Sequence, residues 1–350
     1  MTSSRPAGQR PPTLEDVAKE AGVSRATVSR VVNGTRNVDP EIQRIVQEAV
    51  AATGYVPNRA ARSLVTRRTD SVALIFSVPD HQAADDPFLG QVFSDPFFGR
   101  IVGGLLTVLR PRGVHPVLML ADSDDARHSL VSTLRQEHAD GVVLVSIAPG
   151  DPLPFMLTEA GLPTVLFGRP PTPTPVSYVD ISQQAGARLA ADHLVARGCR
   201  RIVTIAGPYD SAAGQERLTG FRQAMAEHGV AYVPSVEGGF TQKGGEGAMR
   251  ALLAEQPDLD GVFVANDLMA QGALLVLRDF GRRVPQDVAV VGFDDSSAAL
   301  AARPLLTTVR QPVEDMAAEM ARLLLALIDD PEHRTRSVIF KTTLVARESA

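Results

Sequence analysis

Apolar and polar positions alternate in two different ways along this chain. From Ser71 onward, short runs rich in Val, Ile and Leu are separated by stretches whose apolar residues recur every three or four positions. The runs at 72–78, 116–120, 141–147, 164–167, 201–206, 261–265 and 288–293 predict strands. Those at 97–110, 124–137, 182–197, 215–228, 243–255, 267–280 and 313–328 predict helices. Strand–helix alternation of this kind implies parallel sheets with helices on both faces, and its length exceeds one typical domain, so two α/β lobes are expected. Before Ser71 the pattern is helical throughout. Thr13 with Asp16 reads as a capping box opening a helix from Leu14 to about Ala21, which Gly22 breaks. Ser24 caps a second helix from Arg25 to about Asn33. Asp39-Pro40 opens a third, with Ile42, Ile45, Val46, Ala49 and Val50 at helical spacing, and Gly54 stops it.

Composition narrows the class. The chain has 350 residues, 44% hydrophobic, with a single cysteine, Cys199, so neither global disorder nor an internal disulfide framework fits. Residues 1–12 are polar and Pro-containing, read as a disordered tail that lacks the apolar stretch of a signal peptide. No apolar run approaches the roughly 20 residues needed to span a bilayer. A cytoplasmic protein without membrane contact is expected. The net charge of −5 is uneven. Residues 1–68 carry eleven Lys/Arg against six Asp/Glu, net +5, and the remainder carries 24 against 34, net −10. A basic head on an acidic body places any nucleic-acid contact at the N-terminus.

The head has the spacing of a helix-turn-helix. Ala18, Gly22 and Val28 supply a small residue on the first helix, a glycine in the turn and an apolar anchor on the second, with Val17, Val23, Val31 and Val32 filling the core. In that arrangement the second helix enters the major groove, so Arg25 and Ala26 face bases, and Arg30 reaches a base edge or a phosphate. Ser24, Thr27, Ser29 and Asn33 belong to the same contact surface, the hydroxyl and amide groups positioning the helix on phosphates. The competing reading is a small helical hairpin with solvated arginines.

Thr13-Leu-Glu-Asp-Val-Ala-Lys-Glu-Ala-Gly-Val-Ser-Arg-Ala-Thr-Val-Ser-Arg-Val-Val-Asn33, followed by Gly54-Tyr-Val-Pro-Asn-Arg-Ala-Ala-Arg-Ser-Leu64, resembles the head and hinge of the LacI/GalR family of bacterial transcriptional regulators. The likeness continues through Ser94-Asp-Pro-Phe-Phe98, Gly214-Gln-Glu-Arg-Leu-Thr-Gly-Phe221, Val264-Ala-Asn-Asp-Leu-Met-Ala270, Val290-Val-Gly-Phe-Asp-Asp295 and Pro304-Leu-Leu-Thr-Thr-Val-Arg-Gln311. It implies a helix-turn-helix head at 13–57, a hinge at 58–68, and a body at 69–350 of two doubly wound parallel-sheet lobes, like type I periplasmic binding proteins. The lobes are expected at about 69–167 with 312–340, and 168–311 with 341–350. The hinge would order Asn58, Arg62 and Leu64 on an operator, Leu64 wedging into the minor groove at a central step.

In open parallel sheets, ligands bind outside the carboxyl ends of the strands. Ser77, Arg169, Asn266, Asp267 and Asp294 follow predicted strands, and Arg217 follows a Gly-containing loop. Planar carboxylate, amide and guanidinium groups engage two neighbouring hydroxyls at once, as a sugar requires. Asn266 can equally be a helix cap, and Asp294-Asp295 a solvated loop. The resemblance implies that Arg217, Asn266 and Asp294 hold an effector, and that Ser77 and Gln311 line the same site. Phe97, Phe98 and Phe167 are either an aromatic wall or core. Asp180-Ile-Ser182 departs from the Asp-Asn of many relatives, so no role is assigned there, and the long loop at 79–94 leaves the effector's size open. The chain ends just past the final strand without a Leu-heptad tail, an expectation of a homodimer.

An enzyme reading finds no support. The histidines are scattered, the glycine-rich run at 238–247 has neither P-loop nor Rossmann order, and no Gly-x-Ser-x-Gly elbow occurs. No catalytic residue, metal site or cofactor is expected. The reading is a repressor that binds a palindromic operator as a homodimer under control of a small effector, a sugar. The alternatives are a transporter's solute-binding protein, or a regulator of the same family responding to a purine or nucleoside.

Overall fold

The computed structural model describes residues 10, 12–32, 38–56, 68–77, 95–146, 150–170, 172–330 and 334–350. The expected contacts Asn33, Asn58, Arg62 and Leu64, the hinge up to Arg67, the N-terminal tail short of Arg10, and the loop at 79–94 lie outside these residues. Two compact units divide between Thr69 and Asp70.

The head consists of α1 (Leu14–Ala21), α2 (Arg25–Val32) and α3 (Pro40–Thr53). Thr13 and Asp16 form the capping box: the Asp16 carboxylate accepts from the Thr13 N–H at 2.8 Å, and Thr13 Oγ1 accepts from the Asp16 N–H. Gly22 ends α1 at φ 66°, where a side chain would be strained. Ser24 Oγ accepts from the Thr27 N–H at 3.1 Å, and Asp39 caps α3 ahead of Pro40. Val17, Ala18, Val28, Val46 and Ala49 are the buried core. It is small, so each member carries a large share of the head's stability.

The body begins with β1 (Ser71–Ser77), α4 (Pro96–Leu109), β2 (His115–Ala121), α5 (Asp124–Thr133), β3 (Val142–Ser146), α6 (Leu153–Glu159), β4 (Thr164–Phe167) and β5 (Ser177–Ile181). There follow α7 (Gln183–Ala196), β6 (Ile202–Ala206), α8 (Ala212–Glu227), β7 (Ser235–Glu237), α9 (Gln242–Glu255), β8 (Gly261–Val264), α10 (Asp267–Asp279), β9 (Ala289–Asp294), α11 (Ser297–Ala301) and β10 (Thr307–Arg310). The chain then returns through α12 (Val313–Asp329) and β11 (Ser337–Phe340) to β12 (Thr343–Val345). One sheet has the order β11-β5-β4-β3-β1-β2, all parallel. The other has the order β12-β10-β9-β8-β6-β7, parallel except for the antiparallel β12.

The lobe boundary differs from the expected break at 167/168. Leu166 pairs with Tyr178, so β5 extends the first sheet, and the first crossing between lobes falls at Ser182. The Pro-rich loop after Arg169 carries the chain back to the same sheet rather than across. Strands β5, β7, β10, β11 and β12 were not among the predicted apolar runs, because they are short and mix in polar residues. In β10, for instance, Thr307 and Thr308 are fully buried. One apolar cluster runs continuously from Leu74, Ile101 and Leu105 in the first lobe to Phe221, Phe263, Phe293 and Val309 in the second. That shared core fixes where the lobes meet and leaves the strand ends facing each other. The second crossing, between β10 and α12, carries Gln311.

Candidate effector cleft and DNA-contacting head

A cleft of about 760 Å³ opens at the carboxyl ends of both sheets, within the 300–1,000 Å³ range usual for small-molecule sites. Its polar centre is Arg217, on α8, whose first turn is capped by Ser211. The Arg217 side chain is almost wholly buried. Its Nε donates to Gln183 Oε1 at 2.9 Å, one Nη to the Ala265 carbonyl at 2.7 Å and Asp294 Oδ1 at 3.2 Å, and the other to Gln311 Oε1 at 3.2 Å. Beneath it, the Phe293 ring centroid lies 3.7 Å from Cζ, a cation–π contact that helps hold a desolvated guanidinium. Burial lowers the Arg217 pKa and the Asp294 charge opposes this; a guanidinium stays charged throughout.

The carboxylates around Arg217 feel the same burial. Asp294 is pushed up to about 6 by desolvation, against the pull of Arg217. Asp267 rises to about 8 for the same reason, with the Asp294 charge adding to it. Asp267 faces the interior rather than the cleft. It accepts from Thr308 Oγ1 at 2.6 Å and the Ser296 N–H at 2.7 Å, so it is a structural acid. Asp95, which caps α4, and Glu216 are raised by burial too.

Asn266 serves both roles open to it. Its Oδ1 caps α10 through the Met269 N–H at 2.9 Å, its Nδ2 donates to the Phe240 carbonyl at 3.1 Å, and the side chain lines the cleft. One amide hydrogen and one lone pair remain for a ligand. Arg169, Phe98, Asp294 and Gln311 line the cleft as well. Phe97 stacks edge-on between Phe98 and Phe167, at 5.5 and 5.1 Å, and all three form one wall. Ser77 does not reach it. Lying at the end of a strand flanked by β2 and β3, it is fully buried, and its Oγ finds no hydrogen-bond partner among the described residues.

Several cleft residues escaped the sequence reading. Asp180 accepts from the backbone N–H groups of Arg169 and Ile181 at 2.9 and 2.7 Å and from Gln183 Nε2 at 3.1 Å, so the segment left without a role builds the site. Phe240 comes from the run read as a plain glycine-rich loop. Gly244 and Gly245 of that run lie in α9, where a Cβ would meet backbone oxygens at about 2 Å. The acidic character of Asp180 was the one signal available. Phe240 had none.

In the head, Ser24 before α2 and Arg25, Ala26 and Arg30 on it are exposed, Thr27 and Ser29 are half-buried, and Val28 is wholly buried. Arg25 Nε pairs with Glu15 at 3.0 Å, both side chains being well exposed. Such a pair is screened and readily exchanged for a phosphate or a base edge.

The sequence profile described as bacterial regulatory proteins, lacI family, matches residues 13–58, and that of the periplasmic binding protein-like domain matches residues 191–350. The HTH-type transcriptional regulator CelR of Thermobifida fusca is 48% identical over 345 residues, covering 97% of this chain and 99% of that protein. The chain belongs to the lacI family. The ribose operon repressor of Halalkalibacterium halodurans, 33% identical over 96% of each chain, is a more distant relative of this lacI-family protein. Among solved structures, a CelR–cellobiose complex is 45% identical with a TM-score of 0.75, covering 97% of this chain and 100% of that one. The lac repressor dimer bound to operator and the anti-inducer ONPF is 26% identical with a TM-score of 0.82, covering 97% and 99%. This lacI-family chain is a DNA-binding transcriptional regulator, not an enzyme. Its two-lobed body has the periplasmic-binding-protein-like fold. Among the described residues, no helix is long and apolar enough to cross a membrane.

Proposed function

We propose that the protein is a cytoplasmic repressor that binds a palindromic operator as a homodimer and is controlled by a neutral sugar of disaccharide size held in the cleft. The observation that carries this reading is the Arg217 network. Fork-shaped groups from four separate elements converge on one buried point with aromatic rings beside it, the donor set that pairs with vicinal hydroxyls. Charge supports neutrality. Six carboxylates (Asp95, Asp151, Asp180, Asp210, Glu216, Asp294) and two guanidiniums (Arg169, Arg217) line the cleft, so a phosphorylated or carboxylated ligand meets a negative excess. The likeness to the CelR–cellobiose complex makes cellobiose the first sugar to test.

By this reading, Arg25 and Ala26 contact bases, Ser24, Thr27, Ser29, Arg30 and Asn33 contact phosphates or neighbouring groups, and Leu64 wedges the minor groove beside Asn58 and Arg62. Leu64→Ala then weakens operator binding while sugar affinity stays nearly unchanged. Thermal unfolding of the full chain with cellobiose, ribose, glucose 6-phosphate and hypoxanthine tests the effector class. A ligand at a hundred times its Kd adds about 2.7 kcal/mol. Stabilisation by cellobiose supports the reading. A response to hypoxanthine alone replaces the sugar with a purine, and a response to the phosphate alone contradicts the charge argument.

A further inference from the structure

Arg100 lies on α4, outside the cleft wall, and bonds to groups drawn from three places. Its Nε and one Nη form a two-pronged bridge to Glu314, at the start of α12, at 2.7 and 2.8 Å. The other Nη donates to the carbonyl of Asp294 at 2.9 Å, and the Glu314-bound Nη also donates to the carbonyl of Gln311 at 3.0 Å. Those carbonyls belong to two of the three residues whose side chains bond Arg217 inside the cleft. Residues 294 and 311 therefore face the ligand space with their side chains and Arg100 with their backbones.

The two ends of this contact belong to different lobes. Helices α4 and α12 pack together on the first, so closely that a Cβ on Gly104 would lie 2.3 Å from the Glu314 carbonyl oxygen. Asp294 ends β9 in the second. The turn it begins is unusual, with Asp294 at φ 109° and Asp295 at φ 52°, a conformation non-glycine residues hold only where their surroundings enforce it. Here Arg217 binds the Asp294 carboxylate, Arg100 its carbonyl, and Arg310 and Arg347 the Asp295 carboxylate. The turn is thus held at its side chain from the cleft and at its carbonyl by Arg100.

We propose that Arg100 is the positioning residue that carries effector occupancy from the Asp294 turn of the second lobe to the α4–α12 pair of the first. The proposal rests on the cleft being the effector site. A ligand that competes with Arg217 for the Asp294 carboxylate and the Gln311 amide displaces both backbones, and the guanidinium passes that displacement to Glu314 and to α4. The start of α4 also supplies Asp95, Phe97 and Phe98 to the cleft, so the ligand touches the element that its binding moves. Coupling of this kind requires a contact that differs between the two states, and Arg100 provides one.

The test compares wild type, Arg100→Gln, Arg100→Lys and Glu314→Gln as full chains, on an operator selected from a random duplex library. Fluorescence anisotropy gives operator Kd with and without saturating cellobiose, and calorimetry gives cellobiose Kd. In Arg100→Gln, cellobiose affinity stays within about fivefold of wild type while the ratio of the two operator Kd values collapses about tenfold, within the usual span of allosteric couplings. Arg100→Lys keeps the charge opposite Glu314 but not both carbonyl contacts, and retains part of the ratio. An unchanged ratio in Arg100→Gln overturns the proposal, as does a fall in sugar affinity and melting temperature with the ratio intact. If wild type binds no cellobiose, the sugar reading fails by itself, and amide exchange of the unliganded protein decides on Arg100. Faster exchange at 294–298 and 311–314 in Arg100→Gln, with β1 and β3 unchanged, supports the contact; unaltered exchange at those segments overturns it.

Discussion

In the head, the residues assigned to DNA stand outside the core. Arg25 and Arg30 are exposed on α2 while Val28, between them, is fully buried and holds the helix in place. In the body the order is inverted: Arg217, Asn266 and Gln311 are 5%, 3% and 1% exposed, and much of their bonding capacity is spent on one another and on backbone. The head can exchange a solvent-screened pair such as Arg25–Glu15 for a phosphate with little loss. A ligand in the body has to replace bonds that already exist in a poorly solvated place, where each is stronger and each vacancy costs more. Removing one side chain should therefore subtract one contact in the head and disturb a whole network in the body.

Arg217→Ala is the largest test of that contrast. It leaves Asp294 buried without its cation and Gln183 and Gln311 without their partner, a loss of about 3–5 kcal/mol for a broken buried pair. The expected outcome in a denaturant titration is an earlier body transition, with cellobiose response abolished and operator binding retained in conditions where the body stays folded. A variant that keeps wild-type stability and response would remove Arg217 from the centre of the site. Val28→Ala comes next. Losing two methylene-sized groups from a five-residue core costs about 2 kcal/mol with the residual cavity. Amide exchange should then accelerate across α1, α2 and α3 while the strands of the body keep their protection; parallel acceleration in both units would break the view that they are separately stabilised.

The same contrast explains what could be read from the sequence. The head's signals are local: Thr13 with Asp16, Gly22, Ser24 and Asp39-Pro40 act within a few residues, and each cap appears as expected. Strands buried on both faces announce themselves as unbroken apolar runs, as Val142–Ser146 does. The short edge strands did not, since β11 alternates exposed and half-buried positions and includes Ser337. In the cleft, Asn266 and Asp294 were legible because they directly follow strong strands. Asp180, Gln183 and Phe240 were not, because what brings them to Arg217 is sheet order and a loop conformation, neither of which local periodicity encodes. Ser77 illustrates the converse: it is the last residue of a strong strand yet ends up interior and fully buried, so a strand-end position alone does not place a side chain in the cleft.

Arg25→Ala sharpens the comparison at the DNA surface. If Arg25 reads a base, the loss is about 1–3 kcal/mol of discrimination at one operator position. Competition anisotropy against single-base variants should show it, with head and body melting unchanged because the Glu15 pair is exposed. Equal weakening on every sequence, with a shallower salt dependence, would reassign Arg25 to a phosphate.

Thr13→Ala is the smallest effect and isolates local encoding from any partner. Thr13 Oγ1 donates to the Asp16 carboxylate at 2.8 Å but accepts from the Asp16 N–H only at 3.4 Å, so the stronger half of the box runs through Asp16, which still holds the Thr13 backbone N–H. The cost should accordingly sit at the lower end for a lost cap, about 0.5–1 kcal/mol. Its pH signature is distinctive. Hydrogen bonds from the Thr13 backbone and side chain lower the Asp16 pKa below 3.8, so the folded head binds fewer protons than the unfolded chain, and the contribution present above that value is lost as pH falls through the folded pKa. Without the hydroxyl, the Asp16 pKa moves back up towards 3.8 and part of this acid-sensitive stability disappears at neutral pH. Amide exchange of α1 at neutral pH should therefore be faster in Thr13→Ala, with the difference from wild type shrinking in acid. A difference that is constant with pH would mean that the hydroxyl acts only through the weak bond from the Asp16 N–H, and that the carboxylate half of the box does not depend on it.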